Sequence, residues 1–270
     1  MTAGRLPPLL LVGCGRMGGA MLAGWRENGL APSFAVDPAP AAAELAGPDL
    51  TVVAGPEAIP DDFAPAAVVL AVKPQNAADT LPTYRRFGGS AVFLSIMAGR
   101  TTAGMRRLLG DEAAIVRAMP NTPAAIRQGI TVAFPTDAVS AAQNALCDRL
   151  LQAIGQVAWV EDEALLDPVT AVSGSGPAYV FLLAELMEQA ALREGIPADL
   201  ARRLARQTVA GAGALLAASP EDAAALRQAV TSPGGTTAAA LHVLMDAAAW
   251  PDSMTRAIAA ATQRSRDLAG

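Results

Sequence analysis

Short runs of apolar residues recur through the first 160 positions, each closed by a turn former or a charge. Leu9–Val12 stops at Gly13, Phe34–Val36 at Asp37, Val68–Val72 at Lys73-Pro74, and Val92–Ile96 just before Ala98-Gly99. Ile115–Arg117 and Ile130–Phe134 follow. Runs that are apolar at consecutive positions describe strands covered on both faces. Stretches of helical period lie between them, the clearest over Met17–Asn28 and ending near Gly29. Strands alternating with helices predict an α/β fold with a Rossmann-type, doubly wound parallel sheet.

The pattern changes after Trp159-Val160 and the acidic Glu161–Glu163. Beyond them no segment alternates like a strand. Ala178–Glu194 confines its polar residues to a narrow stripe of Glu185, Glu188, Gln189 and Arg193. After Pro197, a second helix carries Asp199, Arg202, Arg203 and Arg206 on one side, and its second half, Thr208–Ala218, is small and apolar all round. A helix apolar on most faces must be buried on most faces. About 110 residues of such helices can hardly bury themselves, so the pattern predicts a helical dimerisation domain, with Gly211 and Gly213 permitting close helix approach. The expected division is residues 1–161 for a dinucleotide-binding domain and 162–270 for helical dimerisation and substrate binding.

Composition narrows the chemistry. The chain has 270 residues, 52% hydrophobic but only 4% aromatic, so its core is built of Ala, Val and Leu. A net charge of −5 gives no reason to expect a nucleic-acid partner. The longest unbroken apolar runs are seven residues, Ala66–Val72 and Ala178–Ala184. A membrane-spanning helix needs about 20, so no membrane segment is expected. Cys14 and Cys147 allow at most one disulfide, have no metal-type spacing, and fit a reduced cytoplasmic setting. His242 is the only histidine, which excludes a multi-histidine metal site; its apolar neighbours suggest a partly buried, non-catalytic role. Lys73 is the only lysine among the twenty basic residues, so a lysine-dependent mechanism has one candidate.

The strongest local motif is Gly13-Cys14-Gly15-Arg16-Met17-Gly18, after a strand and opening a helix. Gly13 permits the tight turn, Gly15 lets backbone approach a pyrophosphate, and Gly18 lets helix and strand pack closely. Asp37 ends the next strand, 19 residues past Gly18. A carboxylate there accepts hydrogen bonds from ribose hydroxyls and repels a 2′-phosphate, a modest lean to NADH over NADPH. Arg16, reaching over the adenine side, would favour NADPH. The turns Val72-Lys73-Pro74 and Ala98-Gly99 sit at carboxyl ends of strands, where such sheets bind ligands. Arg117–Pro123 is dense in turn formers and by itself reads as a rigid connector. Two Gly/Ser-rich segments, Ser173–Pro177 and Ser232–Thr237, precede helical stretches. Local sequence leaves each open as an ordinary N-cap or as an anion cradle of backbone N–H groups.

Together these motifs resemble the pyrroline-5-carboxylate reductase family. GCGRMG (13–18), AVKPQ (71–75), SIMAG (95–99), RAMPNTP (117–123), VSGSGPAYVF (172–181) and SPGGTT (232–237) occur in that order along nearly the whole chain. The resemblance implies reduction of a cyclic imine, 1-pyrroline-5-carboxylate, to L-proline by NADH or NADPH. It also implies an intertwined homodimer, often with higher assembly built from dimers. Carried over by position, Gly13, Gly15, Arg16, Met17, Gly18, Asp37, Val72, Lys73, Pro74, Ala98, Gly99 and Asn121 would hold the cofactor. Ser232, Gly234, Gly235, Thr236 and Thr237 would hold the substrate carboxylate, with Thr237 also bonding the ring nitrogen as the catalytic residue. That loop would meet the cofactor domain of the partner subunit. Two positions depart from the family pattern. Gln228 stands where an acidic residue is common, and Asp37 where NADPH-preferring members carry smaller or basic groups.

The residue inventory agrees with an imine. A cyclic imine takes its proton from solvent, whereas a ketone needs a Lys, His or Tyr donor. The helical half offers no lysine, one histidine and Tyr179. Three alternatives remain from the sequence. A β-hydroxyacid dehydrogenase lacks its usual second-domain lysine here. A reductase of other cyclic imines differs only in substrate. A non-catalytic nucleotide sensor would have no evident need for SPGGTT.

Overall fold

The computed structural model describes residues 4–269. Eight strands form one sheet: β1 (Leu9–Val12), β2 (Ser33–Val36), β3 (Leu50–Val53), β4 (Ala67–Leu70), β5 (Val92–Ser95), β6 (Ile115–Met119), β7 (Gly129–Pro135) and β8 (Gly155–Trp159). Their order is β3-β2-β1-β4-β5-β6-β7-β8. The helices in chain order are α1 (Arg16–Glu27), α2 (Ala77–Thr80), α3 (Thr102–Leu109), α4 (Ala141–Gln152), α5 (Leu166–Val169), α6 (Gly176–Arg193), α7 (Ala198–Ala218), α8 (Ala223–Ala229), α9 (Thr236–Leu244) and α10 (Trp250–Ala269).

The doubly wound arrangement is the one expected, with one correction to the parallel sheet. β7 runs antiparallel to β6, pairing Ala118 with Ala133, and β8 is parallel to β7. The cause is the connection. Residues 120–128 between β6 and β7 hold only the 3₁₀ turn Thr122–Ile126. A parallel crossover with its helix needs about 10–12 residues or more. Between β7 and β8, α4 supplies such a crossover, and the two strands are parallel. Strands β3 and β8, the two edges, escaped the sequence reading. Both alternate or are half exposed, so neither forms a continuous apolar run.

The sheet has a core on each face. On one, Met21, Leu22 and Trp25 of α1 pack with Leu9, Leu11 and with Leu150, Leu151 of α4. The buried Trp25 Nε1 donates to the Leu150 carbonyl at 2.9 Å, and a Cβ at Gly24 would lie 2.4 Å from the Ala153 oxygen. On the other face Leu81, Tyr84 and Phe87 pack with Met105 and Leu109 of α3.

The chain forms two compact units: residues up to 174 together with those from 261 on, and residues 175–260. This division lies downstream of 161/162, and the last residues return to the first unit. In the second unit α6 and α7 pack together, yet α6, α8 and α9 contain no buried side chain and α7 buries only Ala201 and Ala205. Phe181 is 67% exposed. A Cβ at Gly211 or Gly213 would meet nothing within 4 Å, so no described residue of the same chain exploits the close approach they permit. His242, expected to be partly buried, is exposed. The helical stretch Glu163–Arg193 is long and apolar enough, by length and composition, to cross a membrane, which the seven-residue runs did not reveal.

Candidate active site

The turn after β1 uses its three glycines for three different reasons. Gly13 has φ +95°, and a Cβ there would lie 2.8 Å from the Ala71 carbonyl oxygen. At Gly18 a Cβ would lie 2.2 Å from the Gly13 oxygen, so α1 can enter only over a glycine. At Gly15 nothing stands within 4 Å, which leaves the backbone open to an approaching group. Gly15 caps α1 without a side-chain bond, so the first N–H groups of the helix have no partner within it. A helix start of this kind favours an anion.

A cleft of about 590 Å³ opens beside this turn. Gly13, Gly15, Asp37, Val72 and Lys73 line it. Lys73 is its one cationic lining residue. Sequence reasoning missed Asp79, Thr83 and Tyr84, which α2 and the 3₁₀ segment Leu81–Phe87 bring to the wall. They carry no motif. Burial pushes the Tyr84 hydroxyl up to about 12, so it stays protonated at neutral pH.

Asp37 does more than face the cleft. Its Oδ2 accepts the Cys14 backbone N–H at 2.6 Å, and its Oδ1 accepts the Ala39 N–H at 2.9 Å. A carboxylate has about four acceptor sites, so capacity remains for ribose hydroxyls. The carboxylate thus also holds the glycine turn. Burial, then the Asp37 charge, raises the Cys14 thiol to about 11, which leaves it un-ionised and unreactive. Cys147 is buried and pushed up to about 12; both cysteines are free.

The other expected cofactor residues are not among those lining this cleft. Arg16 is exposed at the first position of α1, and Met17 packs against the core. The Pro74 carbonyl accepts Arg100 Nε at 2.8 Å, joining the turn after β4 to the turn after β5. Ala98 is exposed, and Gly99 has φ +65°. Asn121 spends its amide oxygen on the Ile130 N–H at 2.9 Å, pinning the start of β7.

In the second unit Ser232–Gly235 forms a turn closed by Gly235 N–H to the Ser232 oxygen at 3.1 Å. Gly234 has φ +69°, a value glycine adopts without strain. Gly235 caps α9 with no side-chain bond, so the N–H groups of Thr236, Thr237 and Ala238 start the helix without intrahelical partners. Ser232 Oγ stands over Gly235, 2.5 Å from where a Cβ would be. The Ser232 hydroxyl and these uncapped N–H groups thus lie at one helix start. Ser173–Pro177 does not repeat this arrangement. The chain is already helical there, through α5 and the π-helical turn Thr170–Gly174, and Ser173 Oγ bonds back to the Val169 carbonyl at 3.0 Å.

A Rossmann-type sheet with a glycine turn open at Gly15, in a chain that also carries an all-helical unit, places the protein among the nicotinamide-dependent oxidoreductases. Comparison with known proteins narrows the class. Residues 163–268 match the family described as pyrroline-5-carboxylate reductase dimerisation. A pyrroline-5-carboxylate reductase of Pseudomonas aeruginosa is 39% identical over 97% of both chains. The structure of a pyrroline-5-carboxylate reductase from Coxiella burnetii superposes with a TM-score of 0.90 at 30% identity, covering 98% of this chain and 99% of that one. The Plasmodium falciparum pyrroline carboxylate reductase, solved with NADP bound, gives 0.80 at 25% identity over 97% and 100%. The chain belongs to the pyrroline-5-carboxylate reductase family. Its helical module is a dimerisation module, which accounts for the bare faces of α6 and α9 and for the apolar stretch Glu163–Arg193.

Proposed function

We infer that this protein reduces the C=N bond of 1-pyrroline-5-carboxylate with NAD(P)H to give L-proline, the last step of proline biosynthesis. The observation that carries this reading is the match to a pyrroline-5-carboxylate reductase along 97% of both chains. The test is oxidation of reduced cofactor by the purified protein with pyrroline-5-carboxylate, run in parallel with NADH and NADPH. Turnover is expected. Normal cofactor binding without turnover on either would overturn the reading and favour another cyclic imine or a sensor.

The glycine turn fits a dinucleotide, since Gly15 is open where a pyrophosphate must approach and every alternative side chain at Gly13 or Gly18 is blocked. When bound, the reduced nicotinamide supplies hydride to the imine carbon. In this reading the turn Gly13–Gly18 and the start of α1 hold the pyrophosphate, with Arg16 and Met17 beside it. Asp37 reads the ribose. Val72, Lys73, Pro74 and Asn121 bound the cleft, and Ala98 and Gly99 lie near the nicotinamide. Ser232, Gly234, Gly235 and Thr236 hold the substrate carboxylate, and Thr237 bonds the ring nitrogen, whose proton comes from solvent. The protein's part is positioning more than acid catalysis.

The division of labour is placed at 161/162, with a cytoplasmic homodimer, no nucleic-acid or membrane partner, and any larger assembly built from dimers. Two free cysteines and the acidic charge balance support the setting.

Thr237→Ala is expected to lower turnover by about ten- to a hundredfold, the usual scale of a lost positioning contact. Unchanged steady-state kinetics would remove Thr237 from the mechanism.

Asp37 leans the cofactor choice to NADH, because a carboxylate beside Lys73 as the one cationic lining residue opposes a 2′-phosphate. Asp37→Ser is expected to raise the NADPH/NADH ratio of kcat/KM by about tenfold, the scale of relieving one like-charge contact. Both cofactors should also bind more weakly, because the Cys14 N–H loses its acceptor. A ratio that does not move would show that Asp37 reads no ribose.

A further inference from the structure

Glu163 gathers three hydrogen bonds from two distant elements of the first compact unit. Its Oε1 accepts the Thr102 N–H at 2.8 Å and Arg117 Nη1 at 2.8 Å, and its Oε2 accepts the Thr102 hydroxyl at 2.6 Å. Arg117, on β6, is 2% exposed. Its Nε and Nη2 have no hydrogen-bond partner, so Glu163 is its one counter-charge among the described residues.

Helix capping and charge pairing are only part of what this cluster does. Glu163 caps the first N–H of α3, at Thr102, beside the Thr101 Oγ1 that accepts the Gly104 N–H at 3.1 Å. A buried ion pair is often no more stabilising than apolar residues of the same volume. The position of the cluster is more telling. Thr102 directly follows the turn Ala98–Thr101, and that turn is held at three points. Arg100 bonds the Pro74 carbonyl at the cleft, Thr102 bonds Glu163, and Gly99 lies against Leu268, whose carbonyl oxygen is 3.1 Å from where a Gly99 Cβ would be. Glu163 and Leu268 lie on two distant chain segments of the first compact unit. The two segments are themselves joined, since Ser265 Oγ donates to Asp167 Oδ1 at 2.7 Å.

We propose that Glu163 is a positioning residue that fixes the Ala98–Thr102 segment at the nicotinamide end of the cleft. The proposal rests on the reading that Ala98 and Gly99 lie near the nicotinamide. Glu163 touches neither cofactor nor substrate. It acts through Thr102 on the angle at which the turn meets the ring, and small misplacements of reacting atoms cost rate steeply.

The test uses the full-length protein. Glu163→Gln keeps the shape of the side chain and removes its charge. Thr102→Val removes one hydrogen bond and leaves the Glu163–Arg117 pair intact, so it decides the matter if Glu163→Gln does not fold. Each is expected to lower kcat about tenfold, while the cofactor dissociation constant, set by the glycine turn and Asp37, stays within about twofold. The primary isotope effect on kcat with cofactor deuterated at the transferred position should rise, as hydride transfer becomes limiting. Thr102→Ser should restore wild-type values. A merely structural role would lower the melting temperature and leave kcat and the isotope effect unchanged in the folded dimer, which would overturn the proposal. Ala98→Leu separates the two readings. If it lowers turnover while Thr102→Val does not, this proposal alone fails. If Ala98→Leu has no effect, the placement of the turn at the nicotinamide fails and the proposal fails with it.

Discussion

Truncating Glu163 to alanine is expected to cost about 3 kcal/mol of unfolding free energy, the lower end of the range for removing one partner of a buried ion pair, because the Glu163 side chain is itself 22% exposed. The reason is the state of Arg117. Its guanidinium is out of water, two of its nitrogens have no partner, and the remaining contact is Glu163 at 2.8 Å. Without Glu163 a full charge stays buried and unpaired. Urea unfolding at fixed protein concentration reads the loss, since the stability of a dimer depends on concentration. The exposed pair Arg256–Asp252 is the control: Asp252→Ala should change stability by no more than about 0.5 kcal/mol. Adding Arg117→Met to Glu163→Ala should recover much of the loss, because an apolar side chain needs no counter-charge. A loss below about 1 kcal/mol for Glu163→Ala would mean that Arg117 is not desolvated as the structure shows it.

Gly18→Ala is expected to weaken cofactor binding by about a hundredfold, equivalent to about 3 kcal/mol at the upper end of overpacking costs. The added Cβ would meet the Gly13 carbonyl oxygen at 2.2 Å and the Ala71 Cβ at 3.3 Å. Backbone cannot rotate away as a flexible side chain can, so α1 or the turn must move, and either displaces the N–H groups that hold the pyrophosphate. Fluorescence titration with NADH reads the change. Gly15→Ala is the informative partner, because its Cβ meets nothing in the protein. It should leave the melting temperature unaltered and still weaken binding by standing in the approach path. A change under about threefold for Gly18→Ala would show that α1 can slide without disturbing the turn.

Much of the site was legible because it is local. The tight turn at Gly13 and the close approach at Gly18 follow from six consecutive residues after a buried strand, and the structure shows both and leaves Gly15 open. The turn Ser232–Gly235 and the helix that follows it are equally local. The acidic patch Glu161–Glu163 was read as a change of domain character, and nothing in it distinguished Glu163 as the partner of a buried arginine 46 positions earlier. The second engagement of Asp37, with the Cys14 N–H, was hidden for a related reason. A motif specifies which residue faces the ligand but not what else its oxygens reach.

By itself the sequence determined the strand runs β1, β2, β4, β5, β6 and β7, the change to helices near residue 160, and the need for a partner to cover Thr208–Ala218. Those properties follow from which positions must leave water, and burial is written into hydrophobic periodicity. Only the tertiary structure decided that β7 and β8 run against the other six strands, that β3 and β8 form the edges, and that Glu163, Arg117 and Thr102 meet. Strand direction depends on the length of a connection, and half-exposed edges lose the apolar signature. Contacts between distant segments depend on how the sheet stacks its elements, which no local pattern records.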